Sequence, residues 1–142
     1  MNYHFKIVKE DKHYVAYCVE IEYCVTQGTT LDELRDNMHE ALNLYLAEPE
    51  DSTLLFPMPK KRLKLVPKKL EAVSVSPNVA FAMLLRTHRL KSGKTQHEYK
   101  DILGFKNVYQ YQRLENPDTN PGLKMIANLK EKLPGFDPSL IF

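Results

Sequence analysis

At Ser76-Pro77 the chain changes character. Serine is a favoured residue just before a helix, and proline suits the first helical position, so the pair reads as a helix start. Upstream, β-branched and aromatic residues dominate; downstream, apolar residues recur at helical spacing. Neither one sheet nor one helical bundle accommodates both patterns. With 142 residues, the chain is long enough for one ordinary domain or two small ones. The boundary is expected within 67–76, giving domains of residues 1–70 and 71–142.

In the first part, "YHFKIVKE" and "KHYVAYCV" read as a β-hairpin with Glu10 and Asp11 between its strands. "YCVTQG" supplies a third strand closed by Gly28. Thr30-Leu31-Asp32-Glu33 then fits a capping box, in which the Glu33 carboxylate reaches back to the N–H of Thr30. Leu31, Leu34, Met38, Ala41, Leu42 and Tyr45 form one apolar face that can lie on the sheet, and Pro49 stops the helix. "PEDSTLLFPMPKK" is irregular. "RLKLVP" and "EAVSVS" read as short extended pieces, the first expected to join the sheet. A sheet domain of about 65 residues lies near the lower limit for a self-sufficient core, so a partner or a dimer is expected to support it.

The second part reads as four or five helices. The first spans Pro77 to about Leu90. The second starts at Thr95, where Thr95-Gln96-His97-Glu98 is another capping box, and ends at Gly104. A later helix is expected after Asn120-Pro121 and runs to Pro134. Between them lies "KNVYQYQRLEN", whose Tyr-Gln alternation looks like a strand. With Asn107 as N-cap, Gln110 takes the third helical position, and helical spacing explains the segment better. Val108, Tyr111 and Leu114 then face inward; Tyr109, Gln112, Arg113 and Asn116 face outward, with Gln110 on the flank.

A helix ending at a glycine, a short link and a second short helix with a polar outer face match the helix-turn-helix pattern. In that motif the second helix enters the major groove, where Gln pairs with adenine and Arg with guanine. The expected DNA contacts are Thr95, Gln96, Lys106, Asn107, Tyr109, Gln110, Gln112 and Arg113, with Gln96 and its helix N-terminus directed at phosphate. A small bundle with a solvated Gln/Arg face is the plainer alternative.

Charge divides unevenly when the chain is cut at residue 59. Residues 1–59 carry four bases against eleven acids, a net −7; residues 60–142 carry sixteen bases against seven acids, a net +9. That contrast suggests two partners, a basic one for the first part and phosphate for the second. The basic run "PKKRLKLVPKK" reads as a solvated segment flanking the sheet or as an auxiliary phosphate contact. Cys18 and Cys24 form no CxxC pair and read as reduced, buried, apolar-like residues. His4 and His13 could face one another across the hairpin, yet no histidine has zinc-ligand spacing with the cysteines, and neither metal nor cofactor is expected. A metal-dependent nuclease would need converging carboxylates, for which Asp11, Glu20 and Glu22 are candidates, but nothing in the sequence draws them together. The expectation is therefore a non-enzyme, with Glu20 and Glu22 in an acidic rim that binds a partner. No apolar run reaches the roughly 18 residues of a membrane span, and the N-terminus carries no signal-peptide pattern, so a cytoplasmic protein is expected. Phe81 and Leu85, on a second stripe of their helix, and the tail residues Leu140, Ile141 and Phe142 are expected to form a contact between subunits.

Residues 89–129, "RLKSGKTQHEYKDILGFKNVYQYQRLENPDTNPGLKMIANL", resemble the Xre/Cro-type helix-turn-helix family. The matching residues are Arg89, Gly93, Thr95-Gln96, Glu98, Leu103-Gly104, Leu114-Glu115-Asn116 and Asn120-Pro121. Lys100 departs from that pattern, as does one extra residue before Glu115. Residues 16–46, "AYCVEIEYCVTQGTTLDELRDNMHEALNLYL", resemble the HicB antitoxin family, with Glu22-Tyr23 where relatives commonly have Pro-Gly. The two resemblances occur in that family's order. They imply an α+β chain: a partial ribonuclease-H-like sheet-plus-helix domain, then an all-α helix-turn-helix domain. They also imply an antitoxin that masks a HicA-type mRNA-cleaving toxin and represses its own operon by binding operator DNA. A homodimer, or higher even oligomer, is expected physically, since one helix-turn-helix reads only a half-site. The competing expectation is a stand-alone transcriptional regulator whose sheet domain senses a small molecule.

Overall fold

The computed structural model describes every residue, Met1–Phe142. The chain is mixed α/β, a four-stranded antiparallel sheet with five α-helices. It divides into two compact units. Unit 1 comprises residues 1–46 and 56–75; unit 2 comprises 47–55 and 76–142. The chain thus does not divide at a single point near residue 70, because residues 47–55 belong with unit 2.

In unit 1, β1 (Asn2–Glu10) and β2 (His13–Cys18) form a hairpin whose two-residue turn places Asp11 at a φ of 44°. Aspartate tolerates that left-handed conformation better than most residues. β3 (Val25–Gly28) pairs with β2, and β4 (Leu70–Ser74) pairs with β1, giving the order β3-β2-β1-β4. "EAVSVS" therefore contributes the fourth strand. "RLKLVP" does not join the sheet; only Val66 bridges, back to Leu70 in a tight turn. β4 takes the edge of β1 left free by β2, so the preceding segment does not pair with β1.

α1 (Leu31–Leu46) buries Leu34, Met38, Leu42 and Leu46, a spacing of four that keeps them on one stripe. Tyr3 and Phe5 of β1 are fully buried, and each such side chain contributes about 1.5–3 kcal/mol. Gly28 is required where β3 meets α1, because an added Cβ would lie 2.7 Å from the Leu34 nitrogen. The helix start departs slightly from expectation. Thr30 Oγ1 does accept from Glu33 N at 3.1 Å, but the Glu33 carboxylate reaches past Thr30 to Thr29, taking its N–H at 2.9 Å and its hydroxyl.

Unit 2 contains α2 (Pro77–Lys91), α3 (Gln96–Leu103), α4 (Val108–Gln112) and α5 (Leu123–Lys132), with 3-10 turns at Arg113–Glu115 and Pro138–Ile141. α5 starts at Gly122 as N-cap, two residues later than the Asn120-Pro121 signal suggests. α2 is buried all round from Val79 to Leu85. Phe81 and Leu85, expected at a contact between subunits, are 2 % and 0 % exposed within a single chain. Phe81 meets Phe136 edge-on, with a centroid separation of 6.4 Å. Of the tail, Ile141 is buried, Leu140 partly exposed and Phe142 largely exposed. No helix is long and apolar enough to cross a membrane.

The units also redistribute the charge. Unit 1 holds ten bases and nine acids, and unit 2 likewise ten bases and nine acids, a net +1 each. The −7/+9 contrast belongs to a cut at residue 59. It vanishes because the six bases of residues 60–69 stay with the sheet, while Glu48, Glu50 and Asp51 go with the helices.

Candidate nucleic-acid interface

α3 is bounded by two local signals. Thr95 caps its start, its Oγ1 accepting from Glu98 N at 3.1 Å while the Glu98 carboxylate accepts from Thr95 N at 3.1 Å. These hydrogen bonds, from the Thr95 N–H first and its hydroxyl second, hold the Glu98 pKa below the usual carboxylate range. Gly104 ends the helix at a φ of 74°, a left-handed conformation that favours glycine. Four residues later α4 begins. Asn107 Oδ1 accepts from Gln110 N at 3.1 Å, and Gln110 Oε1 accepts from Lys106 N at 2.8 Å, so the cap closes on Lys106 instead of Asn107.

This cap sets the rotation of α4. Tyr111 is fully buried and meets Tyr99 edge-on at 5.7 Å, and Leu114 is buried beside it. Burial, with the Glu115 charge second, pushes the Tyr111 pKa up and keeps its hydroxyl neutral. Tyr109 is 73 % exposed, and Lys106, Asn107, Gln110 and Arg113 are exposed with it. Gln110 uses its oxygen on Lys106, which leaves its NH2 as the end that can donate outward.

Gln96 and Gln112 depart from expectation. Gln96 Nε2 donates to Glu50 O at 2.6 Å and to Glu115 Oε2 at 2.8 Å, and its Oε1 accepts from Gln112 Nε2 at 3.0 Å. Both side chains are therefore engaged inside the unit and do not stand ready for phosphate or base. Asn116 likewise turns inward, donating to Glu50 Oε2 at 3.2 Å.

These bonds belong to a network that residue-by-residue inspection of the sequence does not reveal. Glu115 is fully buried and receives Arg89 Nε at 2.9 Å. Burial opposes the Arg89 charge, but the hydrogen bond and charge of Glu115 more than offset it, and the Arg89 pKa is raised. Arg86, 1 % exposed, donates through Nη2 to Glu48 O, Pro49 O and Glu115 O at 2.8–3.2 Å. Residues 47–55 thus form a strap tied to α2, α3 and the end of α4. A hollow at the α3 N-terminus is lined by Asp51, Thr53, Lys94, Thr95, Gln96 and Gln112. Asp51 of the strap borders this hollow. Arg86 within the apolar run "AFAMLLRTHRL" was the available hint, a charge on a face that has to be buried.

In unit 1, Glu20 is not part of an exposed rim. Its carboxylate is 1 % exposed and accepts from His4 N at 2.9 Å and Lys60 N at 3.2 Å, with His4 Nδ1 at 2.9 Å. Glu22 is exposed, beside Tyr23, which is 82 % exposed at a φ of 67°. The register places His13 opposite Glu10, far along the hairpin from His4, so the two histidines do not face each other. Asp11, at the hairpin tip, lies roughly 20 Å of strand from the Glu20 end. No group of three or more His, Cys, Asp or Glu side chains converges as a metal site would require. On the sheet, Tyr17 and its partner Val25 are exposed, as is Val19 in the loop that follows β2.

No protein-family model matches the chain, and comparison with curated proteins finds no significant match.

Proposed function

We propose that the chain is a HicB-type antitoxin and autorepressor, in which unit 2 is a helix-turn-helix domain reading operator double-stranded DNA. The observation that carries the DNA reading is the arrangement at α3 and α4. A capped helix, a left-handed glycine and a second capped helix bury Tyr111 and Leu114 and leave Tyr109, Gln110 and Arg113 outward. In a major groove, Gln110 would present its amide to an adenine edge and Arg113 its guanidinium to guanine. Lys106 and Asn107, in the turn, would meet backbone phosphate, as would the exposed Thr95. Gln96 and Gln112 would support the reading face from behind. Net charge lends the proposal no help, since unit 2 carries only +1; the cations that matter are the local ones.

Unit 1 would be the toxin-binding domain, with a partial ribonuclease-H-like fold. Exposed Tyr17 and Val25 on the sheet, with exposed Val19 and Tyr23 on the loop between β2 and β3, support a protein partner, because exposed apolar side chains gathered at one end of a domain mark such surfaces. The partner would be a small HicA-type toxin, with Glu22 as the remaining acidic contact. A homodimer would let two copies of α4 read the halves of a palindrome.

Two measurements on the full chain test this. Affinity for its own promoter DNA should fall steeply with rising salt, as counterions released at phosphates demand; a flat response, or no binding, removes the DNA reading. Co-expression with the product of a neighbouring small basic reading frame should yield a stable complex. Recovery of each protein alone would leave the stand-alone regulator as the better account.

A further inference from the structure

The two cysteines, read from sequence as reduced, buried, apolar-like residues, are placed opposite one another. β2 and β3 pair Tyr14 with Gly28 and Tyr17 with Val25, and one more step of that register sets Cys18 against Cys24. The Cys18 N–H donates to Cys24 O at 2.9 Å, extending the ladder by this step. The Cys24 N–H turns instead to Ile21 O at 3.4 Å, so the ladder ends here and a loop of residues 19–23 begins. Residues facing each other across an antiparallel pair point to the same side of the sheet, and hydrogen-bonded pairs have Cα atoms about 5.5 Å apart. A disulfide spans Cα separations of about 4.4–6.8 Å. Both thiols are free and buried, Cys18 at 8 % and Cys24 at 3 % exposure.

We propose that Cys18 and Cys24 are a redox modification site that closes to a reversible cross-strand disulfide at the neck of the 19–23 loop. The oxidant is a peroxide. The Cys18 thiolate attacks one oxygen of hydrogen peroxide, giving a sulfenic acid and, after protonation, one water. Cys24, deprotonating, then attacks the Cys18 sulfur; the S–S bond forms, the S–O bond breaks, and the hydroxyl leaves as a second water. In sum the two thiols lose two protons and two electrons, and peroxide is reduced to two waters. The order of steps follows the local chemistry. Interaction between the two thiols lowers the Cys18 pKa and raises that of Cys24. Cys18 is also the more exposed of the two. The bridge would clamp a loop already held on its other side by Glu20, and it would fix the base from which Glu22 and Tyr23 project.

The test uses the full chain, reduced, then treated with hydrogen peroxide. Intact mass should fall by two hydrogen atoms without dimer formation, both free thiols should disappear, and dithiothreitol should restore them. Glu20 and Glu22 lie between the cysteines, so cleavage after glutamate should yield fragments that separate only after reduction. Cys24→Ser should instead leave a sulfenic acid at Cys18, trapped by dimedone. The proposal is overturned if the folded chain keeps both thiols under peroxide that oxidises the urea-unfolded chain. It is equally overturned if oxidation gives only interchain dimers or higher oxides of Cys18.

Discussion

Each unit buries one carboxylate, and the two are handled differently. Glu20 in unit 1 faces a histidine and two backbone N–H groups; Glu115 in unit 2 faces a permanent cation, Arg89, and an amide, Gln96. The first arrangement can be satisfied by hydrogen bonds alone, whereas the second encloses full charges, which must be paired to be tolerated. Glu20 therefore acts as a latch, joining β1 to the start of the 19–23 loop and to Lys60. Glu115 acts as a hub on which α2, α3 and the strap converge. Under the proposed function, unit 1 would tolerate a locally latched loop, whereas α4 would need its rotation set to within a fraction of a turn.

The sharpest way to break this comparison is Glu115→Ala. It strands Arg89 and Gln96 and should cost about 3–5 kcal/mol in urea unfolding of the full chain. Glu20→Ala orphans hydrogen-bond donors but no obligate cation, and should cost about 2–3 kcal/mol. Equal costs, or the reverse order, would show that the latch and the hub do not differ in kind. Arg113→Ala should lower operator affinity by about 1–3 kcal/mol, relax one base position and leave the unfolding midpoint unchanged. Unchanged affinity would move the reading face away from α4. Thr95→Ala removes a cap and should destabilise by about 1 kcal/mol.

Acid should give the smallest effect, and its sign follows from three carboxylates. Hydrogen bonds from Thr29 hold the Glu33 pKa down, as Thr95 does for Glu98 and Arg35 for Glu71. A group whose pKa is depressed by folding stabilises the native state above its unfolded value of about 4.3, and that contribution is lost as pH falls through the folded value. Thermal stability should thus be level down to about pH 5 and decline below about pH 4. A midpoint that held steady through that range would mean the cap and ion-pair carboxylates contribute nothing net.

Much of the architecture was legible because its causes are local. The Thr95 and Asn107 caps, the left-handed Gly104 and the inward Tyr111 with outward Tyr109 all depend on residues within about one helical turn. Where local signals competed, inference slipped by small steps. Glu33 chose Thr29 over Thr30, and α5 began at Gly122 instead of Asn120, because nearby donors of similar strength differ only in the geometry the whole fold imposes.

The fates of the polar side chains were not legible. Glu20 meets His4 from 16 positions away, Gln96 meets Glu50 from 46, and Arg86 meets Glu48 from 38. A pattern of apolar spacing says which face is buried, but not which distant carbonyl awaits a charge placed there. Cys18 and Cys24 became a pair only when the β2–β3 register set them opposite one another. Charge shows the same limit, since a sum along the chain needs a boundary, and contacts made in space drew that boundary elsewhere. Hydrogen bonds and side-chain spacing a few residues long were enough to give the kind of most helices and strands and the buried face of α1 and α4. Which charges stay on the surface was settled by long-range contacts, because burying one depends on partners that folding alone brings within reach.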